Sequence, residues 1–277
     1  MQKLLAAIFT ILPHHFISRI ILRLSRIQTR WLKSLLINNY ARHFKIDMRD
    51  ALEPSLAAYP SMNAFFTRAL KPDARPLAAG DDLVSPVDGT ISQIGKIHDG
   101  ELFQAKGHHY SLVKLLGGDA TLSKPFEEGG FATIYLSPRD YHRIHMPLDG
   151  TLTDMIYVPG RLFSVAPFSV NHVAGLFARN ERVVCLFDTA YGKLAVILVG
   201  AINVAAIETT WAGLVTPPPG KNIRAIHYED NIQLKRGMEM GRFNMGSTVI
   251  LLTENNAPEW LPELKPDQKV KIGQAFI

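Results

Sequence analysis

The sequence predicts an α+β protein: a predominantly antiparallel β body, sandwich- or barrel-like, preceded by amphipathic helices. Three observations predict it. Residues 1–46 repeat apolar and basic side chains at helical spacing. From Leu83 onward, short β-branched runs alternate with Gly, Pro and Asp turns. With 47% hydrophobic and 20% charged residues over 277 positions, the chain has the makeup of a folded protein with a full core, in one large or two small domains.

The first stretch, Leu4 to Leu12, follows Lys3 in the manner of a signal peptide, but no small-residue cleavage site follows and Pro13-His14-His15 interrupts it. A spanning helix needs about 20 apolar residues, which Pro13, Arg19 and Arg23 break up. Lys3, Arg19, Arg23, Arg26, Arg30, Lys33, Arg42 and Lys45 are unopposed by any acid in residues 1–46. Positions 19, 23, 26, 30 and 33 form one basic stripe on a helix, with Ile20, Leu24, Ile27, Trp31 and Leu35 on a neighbouring face. An ordinary surface helix has nearly the same pattern. The missing acids favour two or three helices lying in an anionic membrane interface without crossing it.

Residues 47–79 read as a helical linker punctuated by Pro54, Pro60, Pro72 and Pro76. Strands are expected at Gly89–Ile97, Phe131–Leu136, Arg182–Phe187, Leu194–Val204, Ser247–Leu252 and Lys269–Phe276. Pro86-Val87-Asp88-Gly89-Thr90-Ile91 is echoed by Pro147-Leu148-Asp149-Gly150-Thr151-Leu152, two Asp-Gly turns each leading into a strand. The echo points to a body of two similar halves. The same texture occurs in lipoyl and biotinyl carrier domains, but the hairpin-tip lysine they need is missing. The expected division is an N-terminal membrane-associating unit, 1–79, and a catalytic β domain, 80–277.

A net charge of +5 suits an anionic partner and is too mild to imply nucleic acid. Cys185, the single cysteine, excludes an internal disulfide and argues against a cysteine metal cage.

Three places carry more polarity than packing needs. Asp88 sits at the first Asp-Gly turn. His142 and His145 share the proline-bounded segment Ser137 to Pro147. Ser247 follows Gly246 ahead of an apolar run. A Gly-Ser pair is usually a turn followed by a strand start. Yet glycine leaves its carbonyl sterically open to attack by the next residue's hydroxyl. His-x-x-His can ligate a metal, but no third ligand stands out and strand geometry would point the two rings apart. Asp, His and Ser in this order can also form a charge relay, although their order does not bring them together in space. A Ser-His-Asp lipid or peptide hydrolase shares these residues but wants a Gly-x-Ser-x-Gly elbow, which is missing here. A non-enzymatic peripheral membrane β domain is the remaining alternative.

The chain resembles the bacterial, prokaryotic type I phosphatidylserine decarboxylases, which depend on a pyruvoyl group. The likeness runs through Asn63-Ala64-Phe65-Phe66-Thr67-Arg68, Leu70-Lys71-Pro72, Val84 to Gly89, Tyr135 to His145, Leu176 to Arg182, Ile207 to Gly213, Glu239 to Phe243 and Gly246-Ser247-Thr248. It departs at Met245, where Leu is usual, and at Ala166, where Asn is expected. The resemblance implies that Asp88, His145 and Ser247 form the charge relay for self-cleavage between Gly246 and Ser247, giving a large chain, 1–246, and a small chain, 247–277. It implies that Ser247 becomes a covalent pyruvoyl cofactor, with no metal, and forms a Schiff base with phosphatidylserine. It implies His142 as the proton donor in decarboxylation to phosphatidylethanolamine and CO2. It further implies a homodimer of processed protomers on the cytoplasmic face of the bacterial inner membrane.

Overall fold

A computed structural model describes residues 9–10, 12–202, 206–217, 222–229, 232–244 and 247–277, Ser247 by its backbone alone. The strands are β1 Gly89–Lys96, β2 Glu101–Ala105, β3 His108–Ser111, β4 Gly130–Leu136, β5 Arg143–His145, β6 Gly150–Val158, β7 Arg182–Thr189 and β8 Gly192–Val199. They continue as β9 Ile207–Thr209, β10 Gly213–Leu214, β11 Arg224–His227, β12 Gln233–Leu234, β13 Glu239–Phe243, β14 Ser247–Thr253 and β15 Lys269–Val270. Every pairing between them is antiparallel. The main sheet runs β11-β6-β7-β8-β14-β4-β1-β15, with β12 also on β6; a second sheet runs β10-β9-β13-β5. This is the α+β architecture with an antiparallel β body that the sequence predicts.

The centre of the main sheet is apolar on both faces. Val196–Val199 of β8 and Val249–Leu252 of β14 are fully buried, which is why these strands read as continuous apolar runs rather than alternating ones. β14 lies between β8 and β4, with Ile250 opposite Ile197 and Thr133. Ser247 is therefore the first residue of an interior strand, opposite Leu136 at the end of β4.

Both echoed Asp-Gly turns open strands at their glycines, β1 at Gly89 and β6 at Gly150. The run Lys269–Phe276 is a strand only over Lys269–Val270. Gly273 then takes φ +81, in the left-handed region, and the chain turns to bond Ser85 and Leu83 through their backbones. The expected strand Leu194–Val204 stops at Val199, and part of its tail lies outside the described residues.

The N-terminal helices are α1 His14–Ser25 and α2 Arg30–Phe44. The single stripe from Arg19 to Lys33 is thus split by a break at 27–29, because the helices dock on different surfaces. His14 of α1 meets Phe163 edge-on, while Ile37 of α2 enters a small core with Tyr59, Met62 and Phe65. The expected helical linker is mostly turns. It keeps one 3₁₀ turn, Leu56–Ala58, and the short helix α3 Met62–Phe66, capped by Ser61 Oγ accepting from the Ala64 N–H. Among the described residues no helix is long and apolar enough to cross a membrane.

Ile250 is fully buried at the middle of β14. Ile250→Ala should cost about 2–5 kcal/mol of unfolding free energy, read by chemical denaturation of the intact chain.

Candidate active site

The 86–88 turn, the 137–145 segment, the start of β14 and α3 converge where the two sheets meet. Gly89 is required at this junction: a Cβ there would lie 2.6 Å from the Tyr135 carbonyl oxygen. Its neighbour Asp88 is fixed by two elements. Arg75 donates from Nε to both carboxylate oxygens, at 2.9 and 3.0 Å, and from Nη2 to Oδ2 at 2.6 Å. The backbone N–H of Ile272 donates to Oδ1 at 3.0 Å. Arg75 also reaches Asp50 at 2.8 Å through Nη1. Burial works against the Arg75 charge, but the two carboxylates outweigh it and raise its pKa.

The histidine segment begins with a tight turn in which the Ser137 N–H and hydroxyl both donate to Asp140 Oδ2 at 2.7 Å. β5 then lies beside the 86–88 turn, because the His145 N–H donates to the Pro86 carbonyl at 2.9 Å. His145 Nδ1 is 2.7 Å from the Gly237 carbonyl and Nε2 is 3.2 Å from the Tyr141 hydroxyl. A carbonyl only accepts, so Nδ1 carries the proton and Nε2 presents its lone pair to Tyr141. Burial lowers the His145 pKa against the opposing effect of the Gly237 carbonyl. Burial also raises the Tyr141 pKa to about 12, which keeps that hydroxyl a donor.

His142 is fully buried. Its ring lies 4.0 Å from the Phe66 ring, Nδ1 donates to the Asp140 carbonyl at 2.8 Å, and Nε2 has no partner among the described residues. Burial first, and Arg68 second, lower its pKa to about 3.

Asp88 and His145 are thus brought to one region but are not hydrogen-bonded to each other. Both Asp88 oxygens face Arg75, and His145 Nδ1 faces Gly237 instead of Asp88. Asp88 still favours the charged form of His145 through its field. Asp88 and His145 line neighbouring cavities of about 350 and 390 Å³ that share Leu70, Arg75 and Tyr141 as walls. Gly246 and the Ser247 side chain lie outside the described residues. Sequence reasoning passed over Arg75, Tyr141, the Gly237 carbonyl and the Ile272 N–H. Tyr141 adjoins His142 in the histidine segment; the other three give no local signal.

The phosphatidylserine decarboxylase family model matches residues 62–277, and a second model, described as PSD, matches residues 4–45. The chain belongs to the phosphatidylserine decarboxylase family. It is similar to the phosphatidylserine decarboxylase proenzyme of Alkalilimnicola ehrlichii, 59% identical over 93% of this chain and 90% of the relative. It is 52% identical to that of Azotobacter vinelandii over 96% of this chain and 94% of the relative. It is 51% identical to that of Shewanella sp. MR-7 over 100% and 97%.

In this family member both site histidines are neutral by burial, which sets the sign of a pH effect. Their folded pKa values lie below the unfolded value of 6.5, with His142 at about 3. Below pH 6.5 the unfolded chain takes up protons that the folded chain refuses. Stability is therefore full above that pH and falls as pH drops toward the folded pKa values, by about 1.4 kcal/mol per pH unit per group. His142→Asn, which cannot titrate, should flatten this acid limb by about one proton in denaturation curves taken between about pH 6.5 and 4.

Proposed function

We infer that the chain is the proenzyme of a phosphatidylserine decarboxylase that cuts itself between Gly246 and Ser247 to make its pyruvoyl group. The observation that carries this reading is the place of Ser247, first residue of an interior strand beside the histidine segment, in a chain of this family. We divide the chain into residues 1–79 and a catalytic body, 80–277; every named strand begins at Gly89 or later. A hydrolase reading gains nothing from the structure, since Ser247 opens a strand and not the strand-to-helix elbow such enzymes use.

In maturation, His145 Nε2 takes the Ser247 hydroxyl proton once Tyr141 yields it, and the hydroxyl oxygen attacks the Gly246 carbonyl carbon. The Gly246–Ser247 amide becomes an ester. Loss of the Ser247 Cα proton and departure of the Gly246 carboxylate then part the chains. Hydrolysis releases ammonia and leaves the small chain with a ketone at its first residue. The Gly237 carbonyl holds the His145 tautomer, while Asp88, gripped by Arg75, stabilises the imidazolium through its field.

The surroundings fit such a ketone. Thr248 Oγ1, on the next residue, and His142 Nε2 are both buried without partners among the described residues, leaving polar groups for the new carbonyl and its substrate. When present, the pyruvoyl group supplies an electrophile for the headgroup amine and a sink for the electrons released with CO2. His142 serves the proton return to carbon. Burial first and Arg68 second disfavour its charge in the free protein, and an anionic headgroup at Nε2 opposes both. The product is phosphatidylethanolamine.

A lipid substrate requires a membrane surface, and the helices provide one. α1 turns His14, Ser18 and Ser25 inward and leaves Phe16 and Leu24 exposed, at 65% and 47%. α2 exposes Trp31 at 70% and Leu35 at 51%. A helix with small and polar residues inside and large apolar ones outside is inverted for water and suited to an interface. Flanked by Arg19, Arg23 and Arg26, this face fits the anionic cytoplasmic leaflet of the inner membrane. The resemblance adds a homodimer of processed protomers.

Denaturing electrophoresis should show two bands, the smaller with a blocked amino terminus. Ser247→Ala should give one band and no decarboxylation, and a variant that still decarboxylates would overturn the reading. Arg19→Glu with Arg23→Glu should weaken binding to phosphatidylserine-containing vesicles by roughly thirtyfold or more, at about 1 kcal/mol per basic residue lost from the surface, as read by vesicle co-sedimentation.

A further inference from the structure

The scissile segment is held at both ends. On its far side Ser247 is locked into register with Leu136. On its near side the Phe243 N–H donates to the His142 carbonyl at 3.0 Å and the Asn244 N–H to the Ala206 carbonyl at 2.8 Å. Residues 245 and 246 alone separate these anchors. One side chain from the distant helical segment reaches this point: Asn63 Nδ2 donates to Asn244 Oδ1 at 2.8 Å. The other side-chain contacts of Asn244, from Nδ2 to the Ala206 carbonyl and to Glu208 Oε2, are each 3.5 Å and weak.

We propose that Asn63 is a positioning residue for self-cleavage: its amide tethers Asn244 and so fixes the near-side anchor of the cleavage segment. The proposal rests on the self-cleavage reading above. Three features point to this role over simple packing. Asn63 sits on α3, whose Met62 and Phe65 are buried in the core shared with Ile37 of α2, so the tether springs from a fixed base. Asn63 Oδ1 is buried without a partner among the described residues, a desolvation cost that an apolar side chain would avoid. The same helix places Phe66 against His142, so α3 touches both the cleavage segment and the histidine segment. An intramolecular attack depends steeply on the population of near-attack geometry, and a slackened anchor two residues away reduces it.

The test is the rate at which newly made full-length chain becomes two chains in a pulse-chase, read beside the Tm of each variant made on a Ser247→Ala background. Asn63→Leu keeps the branching at Cγ and removes the donor; it sheds one orphaned acceptor and leaves the buried Asn244 Oδ1 as another. It should slow cutting by roughly tenfold to a hundredfold with little change in Tm. Asn244→Ala should slow cutting similarly, and the double variant should be no slower than the slower single, because both remove one interaction. Leu115→Ala, which loosens the main core and leaves the core under α3 intact, should lower Tm while cutting at close to the unsubstituted rate. Cutting of Asn63→Leu at the unsubstituted rate, multiplied effects in the double variant, or equal slowing by Leu115→Ala would each overturn the tether. An unsubstituted chain that never cuts overturns the self-cleavage reading itself, whereas cutting that ignores Asn63 overturns only this inference.

Discussion

The pairing of β14 on both of its edges is the constraint on which the site depends. Interior strands in a sheet buried on both faces cannot slip by one residue without turning every side chain to the wrong side. With Val249 to Leu252 fully buried between β8 and β4, the start of the strand is fixed at Ser247. The register of Ser247 is thereby set by the entire sheet. The same pairing, with that of β15 to β1, ties segment 247–277 into the sheet through its own backbone bonds.

Around the start of β14 many polar groups are held by main chain. Arg68 reaches the Arg139 carbonyl and Arg143 the Thr67 carbonyl, while the two histidines donate from Nδ1 to carbonyls of Asp140 and Gly237. Carbonyl partners fix a ring's tautomer without lending it negative charge, so burial dominates and both imidazoles stay neutral. Side-chain pairs complete the set: Arg143 also reaches Glu239 at 2.8 Å, and the Arg75 guanidinium meets Asp88 in a fork that fits both carboxylate oxygens.

What the sequence revealed and what it hid follow from range. β8 and β14 were legible because burial on both faces writes a continuous apolar run. β6 was passed over: Thr153 and Asp154 interrupt its apolar residues at the very point where its register shifts. The short strands β5, β9 and β13 carry too few residues for any period to register. His142 and His145 stood out as a cluster, but not their separation, one against Phe66 and the other against Tyr141. The grip of Arg75 on Asp88 crosses the proline-rich turns, and the Gly237 carbonyl is backbone, which no side-chain pattern can announce. The break between α1 and α2 was hidden because each helix answers to a different neighbour.

The outward apolar strip of α1 and α2 also governs how the protein behaves when no bilayer is present. Full burial of a large apolar side chain is worth about 1.5–3 kcal/mol, and Phe16, Ile20, Leu24, Trp31 and Leu35, between 41% and 70% exposed, each forgo part of it. Two copies can shield one another's strips, as can a detergent micelle. Particle mass in lipid-free buffer therefore reports the hunger of this strip as well as any specific subunit contact, and the two separate only when an amphiphile occupies the strip.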